Sequence, residues 1–570
     1  MRVSQLFART LREDPAEAEV PSHRLLLRAA FIRKVAAGIY TSMPLGLRTM
    51  NKIERIVREE MDASGAQELR MPIVLPAEPW KATGRWDAYG DEIFRLQDRH
   101  GREFLLGPTQ EEVVAPLVQQ EFPSYRDLPV NVYQVEWKYR DERRPRYGVL
   151  RGREFLMKDA YTFDRDEDGM RESYRVMYEA YQRVFDRLGI EYVIVEADPG
   201  TIGGGVNHEF MALAEVGEDL FVRCENGDYL ADTEAATPAP PAPVAPGAEQ
   251  LPLTEVDTPG AVTIELMVER MGVPAEATMK CILFDVEGRT VAVLIPGDRE
   301  VGEKKLARLH FPERVHRFED EDFSRLGLPK GFVAPQGLGP EVAIFADPSI
   351  RGRAQWVTGG NRPDVHVTGA TLERDFRVDR WEDLVQIREG DHCPVDGGRL
   401  RIGRSIVVGH IYQLGTYYSE PLGATYQAED GSQRPYVMGS YGIGITRIMA
   451  AVVEQRHDDG GMMWPKLLAP FEVAVLMANA DAPEVTVEAE RIYGELGARG
   501  VEAVLDDREE RAGVKFADAD LVGYPVQVVV GSRGLESGTV DLKVRATGER
   551  SRAPLANASQ AVVDLLDGAP

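Results

Sequence analysis

Residues 139–154, YRDERRPRYGVLRGRE, hold six arginines in sixteen positions: Arg140, Arg143, Arg144, Arg146, Arg151 and Arg153. The flanks, VNVYQVEWKY before and EFLMKDAYTF after, are strand-like, which makes the stretch the turn of a hairpin. One reading pairs the arginines with Asp141, Glu142 and Glu154 in a solvated loop, the usual fate of a charge run. The other takes guanidinium groups on a rigid hairpin, with Phe155 directly following, as a site for a nucleoside triphosphate. Such a ligand needs bidentate contacts to phosphate oxygens and a flat apolar surface for its base. ATP is the favoured ligand on that reading.

The whole chain narrows the choice. It has 570 residues, 43% of them hydrophobic, and a formal net charge of −26. That length predicts three or four domains, and the acidic total argues against indiscriminate coating of nucleic acid while leaving room for a confined phosphate site. No apolar run approaches the roughly 18 residues a membrane helix requires, and RLLLRAAFIRKVAAGIY is broken by Arg28, Arg33 and Lys34. Cys224, Cys281 and Cys393 are too few and scattered for a disulfide framework, so a reducing cytoplasm is expected.

Composition also divides the chain. TPAPPAPVAPG, Thr237 to Gly247, forbids helix and central strand and reads as a linker. EGDHCPVDGG, Glu389 to Gly398, is a second loosening, and two linkers flanking one segment predict an inserted domain over 250–388. The expected plan is 1–236, a linker at 237–249, the insertion, a second part of the first domain at 389–465, and a terminal domain at 466–570. In that last domain FEVAVLMAN, VEAVL and VQVVV read as strands, and Val485 to Leu496 as a helix with Ala489, Ile492 and Leu496 on one face. Near the start, Ile53, Ile56, Val57 and Met61 line one helix face that stops near Gly65. ELRMPIVLP follows as a strand interrupted by Pro72.

The nucleotide loops G-x-x-x-x-G-K-[ST] and G-x-G-x-x-G are absent. In their place MGSYGIGITRIMA puts Gly442 and Gly444 ahead of Arg447 at the start of an apolar helix, where backbone can approach a ligand and Arg447 can project over it, although such glycines also serve helix packing. In GPTQEE, Thr109 and Glu111 share one side if the segment is extended, a hydroxyl and a carboxylate suited to a small cationic amine. The competing reading is a helix N-cap with acidic first-turn residues.

Together these pieces resemble a known family. YRDE with RGREF is similar to motif 2 of the class II aminoacyl-tRNA synthetases, GIGITR to motif 3, and the Ile53–Pro72 segment to motif 1. GPTQEE, RGREFLMKDAYTF, HEFMALAE, VGHIYQLGT and DDREERAGVKFADADLVGYP resemble the bacterial type of prolyl-tRNA synthetase. The resemblance implies an α+β fold: an antiparallel sheet with flanking helices, an inserted α/β editing domain and a C-terminal α/β anticodon-binding domain. It implies ATP with Mg²⁺, proline and tRNA(Pro) as partners, and a homodimer formed through motif 1. By position it assigns Arg140 to the α-phosphate and the proline carboxylate, and Glu142 and Phe155 to the adenine. Arg151 and Arg447 fall on the outer phosphates, and Gln413 on the nucleotide. Thr109 and Glu111 would receive the proline ammonium, and Met157, Tyr161 and His410 would line its ring pocket. In the insertion, Lys280, Asp347, Gly359 and His366 would form the editing site, and Arg508, Arg511 and Lys515 would approach the anticodon, against the competing reading of a salt-bridged helix start.

Two departures from the family stand out, Gln110 in place of histidine and Tyr417 in place of a basic residue. CENG and CPVD keep Cys224 and Cys393 but put Gly227 and Asp396 at the second positions of what relatives carry as cysteine pairs, so no zinc is expected. A class II synthetase for another small amino acid, and a non-catalytic tRNA-binding relative, are the alternatives. The second would be expected to lack Arg140 or Arg447, and both are present.

Overall fold

The structure is a computed structural model that describes all residues except 198–201, 203, 228, 246–250, 311–312 and 569–570. It forms two compact units, one of Met1–Ile194, Pro199–Asp219 and Arg404–Pro570, the other of Val195–Asp198 and Leu220–Gly403.

The first unit is built on an antiparallel sheet. The Val130–Tyr139 strand pairs with Glu154–Asp164, which pairs with Val437–Gly444, which pairs with Leu400–Gly415, whose far side carries Asn207–Leu213. The two-residue strand Gln67–Glu68 lies parallel to Val130–Tyr139 and ends the order on that side. One face is covered by helices Pro44–Ala63, Glu167–Leu188 and Ile445–Gln455, whose Ile53, Val57, Met177, Phe185, Ile448 and Val452 are 0–1% exposed. Glu167–Leu188 begins where the Asp166 side chain accepts the Gly169 N–H and ends at Gly189, φ +67°, a left-handed cap that glycine adopts without strain. Strand period sorts the residues between the faces. Leu156 and Ala160 join the helix-side core, while Tyr161 and Phe163 join the core of the opposite face. That second face is the open side of the sheet, closed in part by helix Glu111–Glu121 through Val114, Ala115 and Val118.

The stretch ELRMPIVLP is two strands rather than one: Gln67–Glu68 in the main sheet and Val74–Pro76 in a separate three-stranded sheet with Glu103–Leu106 and Arg95–Gln97. Pro72 lacks the N–H a continuous ladder would need, and the chain changes sheets there.

At the C-terminal end, Val473–Met477 lies parallel between Ala503–Asp506 and Val526–Val530, and Thr539–Val544 and Arg550–Pro554 extend the sheet antiparallel. Helix Pro483–Ala498 buries Val485, Ala489, Ile492 and Leu496 completely, the face its periodicity predicts. Ala503–Asp506 is an edge strand, and the N-terminal arm lies along it. Arg2 bridges Leu505 in parallel, the Leu505 N–H donates to the Met1 carbonyl at 3.0 Å, Ser4 binds Asp507 and Thr10 binds Asp518.

The second unit holds a five-stranded sheet, Val315–Arg317, Met279–Val286, Arg289–Pro296, Ala343–Ala346 and Arg380–Trp381, and a three-stranded sheet, Thr254–Asp257, Val365–Ala370 and Trp356–Gly359. It is wider than the insertion read from composition. The described part of the proline-rich stretch is fastened to this unit: the Ala239 N–H donates to His392, the Val244 N–H to Arg351, and the Thr237 hydroxyl to Asp383. Residues 246–250 of the expected linker lie outside the described residues. No helix among the described residues is long and apolar enough to cross a membrane.

Candidate functional site

Residues 139–154 do form the end of a hairpin: Tyr139 pairs with Glu154, the Arg140 N–H donates to the Arg153 carbonyl, and Arg146 bridges Arg151. The ion-paired reading describes three of the six arginines. Arg151 pairs with Glu142 and Glu218, each at 2.9 Å, Arg146 with Glu218, and Arg153 with Asp141 at 3.3 Å. The guanidinium of Arg151 holds the Glu142 carboxyl below its ordinary range against burial, which pushes the other way.

Arg140 is different. Among the described residues no carboxylate lies within 4.0 Å of it. Its guanidinium carbon sits 5.2 Å from the centre of the Phe155 ring, one terminal nitrogen reaches the Pro108 carbonyl at 3.5 Å, and its buried Nε has no acceptor. A half-buried cation with an orphaned donor beside an aromatic ring is a place where an anionic ligand completes the hydrogen bonding.

Arg447, in the first turn of helix Ile445–Gln455, donates from Nε to the Leu150 carbonyl at 3.2 Å and from a terminal nitrogen to the Val407 carbonyl at 2.7 Å. Burial pulls its pKa down, Asp219 opposes this, and Arg140 and Arg151 add to it by repulsion. Gly442 faces Met157: a Cβ there would lie 3.7 Å from the methionine methyl carbon, so the strand floor is low beside a half-buried thioether. Gln413 is half-buried on the Leu400–Gly415 strand, paired in register with Gly439.

Thr109 and Glu111 meet, but not in an extended segment. The helix begins at Glu111, after Gln110 as its N-cap residue, and the Thr109 hydroxyl donates to Glu111 Oε2 at 2.5 Å. Glu111 and Glu112 are both 0% exposed. Ser440 Oγ donates to Glu111 Oε1 at 2.9 Å, and the guanidinium of Arg85 lies 3.3 Å from Glu111 Oε2 and 3.1 Å from Glu112 Oε1. Tyr161, expected in a ring pocket, is instead 0% exposed. Its hydroxyl lies 3.4 Å from the Thr109 hydroxyl, accepts the Gln110 N–H and donates to Asp159, which pairs with Lys138. It supports Thr109 from below. His410 is sandwiched: Nε2 lies 2.6 Å from Asn207 Oδ1, Nδ1 lies 2.7 Å from the Tyr412 hydroxyl and 3.2 Å from Glu209, and its ring stacks on Tyr412 at 3.9 Å. Asn207 and Glu209 lie at or next to the quoted HEFMALAE, yet only the pairing of their strand with 405–412 shows that they hold His410. Ser440 lies within the quoted MGSYGIGITRIMA but was not singled out there, and Arg85 lies outside every quoted motif; both act through tertiary contacts.

In the second unit, Gly359 and His366 are paired residues of adjacent strands. His366 is 3% exposed, with Nδ1 2.6 Å from the Thr258 hydroxyl, and burial lowers its pKa. A Cβ on Gly359 would lie 2.1 Å from the Phe332 carbonyl, so only glycine fits there. Lys280 donates to the Arg299 carbonyl at 2.6 Å and to Glu300 at 2.7 Å. The Asp347 carboxylate is saturated, accepting from Ser349, Leu384 and Val385 N–H groups, and so shapes a turn. Cys224 Sγ, Cys393 Sγ and an Asp396 oxygen lie within 4.8 Å of one another, with the Cys224 thiol donating to Asp396 and pushed up to about 11, mainly by burial.

Of the three cations expected at an anticodon, Arg511 alone is exposed. Arg508 is tied to Asp506 at 2.6 Å and Asp518 at 2.8 Å. Lys515 corrects the expectation more strongly: it is 0% exposed and donates to the Met477 carbonyl at 2.7 Å, a structural cation that joins helix Ala512–Val522 to the end of a central strand.

Comparison with known proteins gives the family. Residues 94–456 match the model of the tRNA synthetase class II core domain (G, H, P, S and T), and 472–565 match an anticodon binding domain. The chain is 48% identical over 569 residues to the proline--tRNA ligase of Pelotomaculum thermopropionicum, covering 99% of this chain and 100% of that one. It is 50% identical over 559 residues to that of Desulfitobacterium hafniense, covering 96% of each. A crystal structure of prolyl-tRNA synthetase from Cryptosporidium parvum, complexed with halofuginone and AMPPNP, superposes with a TM-score of 0.56 at 13% identity, covering 96% of this chain and 75% of that one, and shares the fold. A class II core with a matching anticodon-binding domain, and relatives nearly half identical from end to end, show that the chain belongs to the class II aminoacyl-tRNA synthetases and, among them, to the bacterial-type prolyl-tRNA synthetases.

Proposed function

We propose that the open face of the main sheet joins proline to ATP and passes the prolyl group to tRNA(Pro). The proline carboxylate oxygen attacks the α-phosphorus, the bond from that phosphorus to the bridging oxygen breaks, and pyrophosphate leaves. A hydroxyl of the terminal ribose then displaces AMP from the prolyl carbonyl. The carboxylate is already ionised at neutral pH, so activation needs no general base, and positioning and charge stabilisation dominate.

Arg140 carries this reading: among the described residues Arg143 and Arg144 also lack a carboxylate partner but are exposed, whereas Arg140 alone of the hairpin arginines has a buried donor unused. It would bind the α-phosphate and the proline carboxylate as negative charge shifts between them. Phe155 and Glu142 would receive the adenine, Arg151 and Arg447 the outer phosphates, and Gln413 the nucleotide. Mg²⁺ arriving with ATP supplies further neutralisation of the phosphates. The proline ammonium would sit at Thr109 and Glu111, with Met157 and the Tyr412-stacked His410 beside its ring. Amino-acid-dependent pyrophosphate exchange across proline, alanine, threonine, serine and histidine tests the reading. Exchange with proline well above the others is expected, and preference for another of the five would overturn it.

The finer proposals follow the same reading. The chain acts in the cytoplasm, where its tRNA and ATP are. It forms a homodimer through the Pro44–Ala63 helix and the short Gln67–Glu68 strand that ends the main sheet, and sedimentation should give twice the 63.4 kDa chain mass. Arg511 is the cation of its loop that meets the anticodon. The second unit hydrolyses alanyl-tRNA(Pro): alanine is smaller than proline, so a proline site cannot exclude it by size, and missing methylenes discriminate by only about 1–3 kcal/mol. Two features support that assignment, the buried Gly359–His366 pair and the ammonium of Lys280.

A further inference from the structure

The charge in the amine-binding corner is unbalanced. Glu111 and Glu112 are adjacent carboxylates with no exposed surface, and one cation, Arg85, serves both. Arg85 is also 0% exposed, held by helix Arg85–Ala88 after Gly84, and its guanidinium carbon lies 4.6, 5.1 and 5.2 Å from the ring centres of Trp80, Tyr89 and Tyr418. One terminal nitrogen reaches both carboxylates, while Nε and the other terminal nitrogen face this aromatic box without an acceptor. Glu112 is held further by the Thr83 hydroxyl at 3.0 Å.

We infer that Arg85 is a positioning residue for the amino-acid amine: it clamps Glu111 through Oε2 and leaves the Glu111–Glu112 pair one cation short, so that the substrate's secondary ammonium completes the cluster at Oε1, beside Ser440. This rests on the reading that Thr109 and Glu111 receive the amine. Two acidic groups so close repel in a low-dielectric site. Arg85 offsets that repulsion with a single positive charge, and one cation set against two acidic groups favours the arrival of a second.

The groups facing the pair are Arg85 and Tyr89, Tyr161 with Asp159 and Lys138 behind it, and Tyr417 and Tyr418. Burial pushes the Tyr161, Tyr417 and Tyr418 phenols up, and burial with repulsion from Glu111 pushes the Glu112 carboxyl up against the pull of Arg85. Replacing the guanidinium by an apolar chain removes that pull and should push the Glu112 carboxyl up further.

The test is pyrophosphate exchange by the full chain from pH 5.5 to 8.5. Arg85→Met should raise the proline KM at least tenfold at pH 7 and leave the ATP KM within twofold. Its proline KM should climb more steeply than the parent's as pH falls. Arg85→Lys, which keeps the charge but not the fork or the stacking, should fall between them. A proline KM and pH profile unchanged in Arg85→Met, or a loss spread equally over proline KM, ATP KM and kcat, would overturn the inference. If Arg85→Met does not fold, Arg85→Lys carries the same test. Glu111→Gln separates the two layers: an unchanged proline KM in that variant sinks the amine assignment itself, whatever Arg85 does.

Discussion

Arg140→Ala separates chemistry from folding more cleanly than any other change in the hairpin. In the folded protein this side chain has one hydrogen bond, at 3.5 Å, and an aromatic contact at 5.2 Å. The aromatic contact stabilises by about 0.5–1 kcal/mol, and the same substitution removes a buried donor that has no acceptor, which offsets part of the loss. The net change in stability should be about 1 kcal/mol or less, a shift in Tm of no more than about 4 °C. In the reaction the same group meets charge that develops at the α-phosphate, and losing one such donor lowers kcat by roughly 10²–10³, about 2.7–4 kcal/mol. The assay is proline-dependent pyrophosphate exchange, with circular dichroism and a thermal scan on the same preparation. Arg151→Ala is the control: its target is an outer phosphate and it already pairs with Glu142 and Glu218, so the ATP KM should rise more than kcat falls. Exchange within fivefold of the parent in a folded Arg140→Ala protein would refute the assignment.

Three further outcomes are expected. Lys280→Ala should leave prolylation unchanged and abolish deacylation of alanyl-tRNA(Pro); clearance at the parent's rate would remove Lys280 from the editing site. Elemental analysis should find no stoichiometric zinc, because Cys224, Cys393 and Asp396 offer three donors, Gly227 adds none, and structural zinc sites are four-coordinate; one zinc per chain would show the three-donor cluster to be sufficient. The Asp164 carboxyl is pushed up from 3.8 to about 6, mainly by burial. The folded chain therefore keeps a proton that the unfolded chain releases earlier, so the stabilisation from this group is full below about pH 4 and is lost as pH rises through about 6, on the order of 3 kcal/mol in all. Asp164→Asn should flatten the fall in Tm between pH 4.5 and 7.5, and an equally steep fall in the variant would refute the assignment.

Much of this was legible in the sequence because it is local. Period placed Ala489, Ile492 and Leu496 on a buried face, VQVVV is a strand over its full length, and Gly65 marks a helix end with positive φ. The hairpin of six arginines was legible as a turn between strands, but which of them pair was not. Arg146 and Arg151 do so through Glu218, 67 residues from Arg151 in sequence. The same limit hid Arg85, whose partners lie 26 and 27 residues away, and made Lys515 look like a nucleic-acid contact when its ammonium is consumed by main-chain carbonyls. Charge is visible in a string of letters; what each charge faces is a product of the packing.

The N-terminal arm on the edge strand at 503–506 bears on the order in which the protein is made. Ser4 and Thr10 are 503 and 508 residues from their partners Asp507 and Asp518. At about 5–20 residues per second, the arm leaves the ribosome some 25–100 s before the strand it covers exists. The terminal sheet thus has an open edge from its own synthesis until the arm, translated long before it, finds that edge.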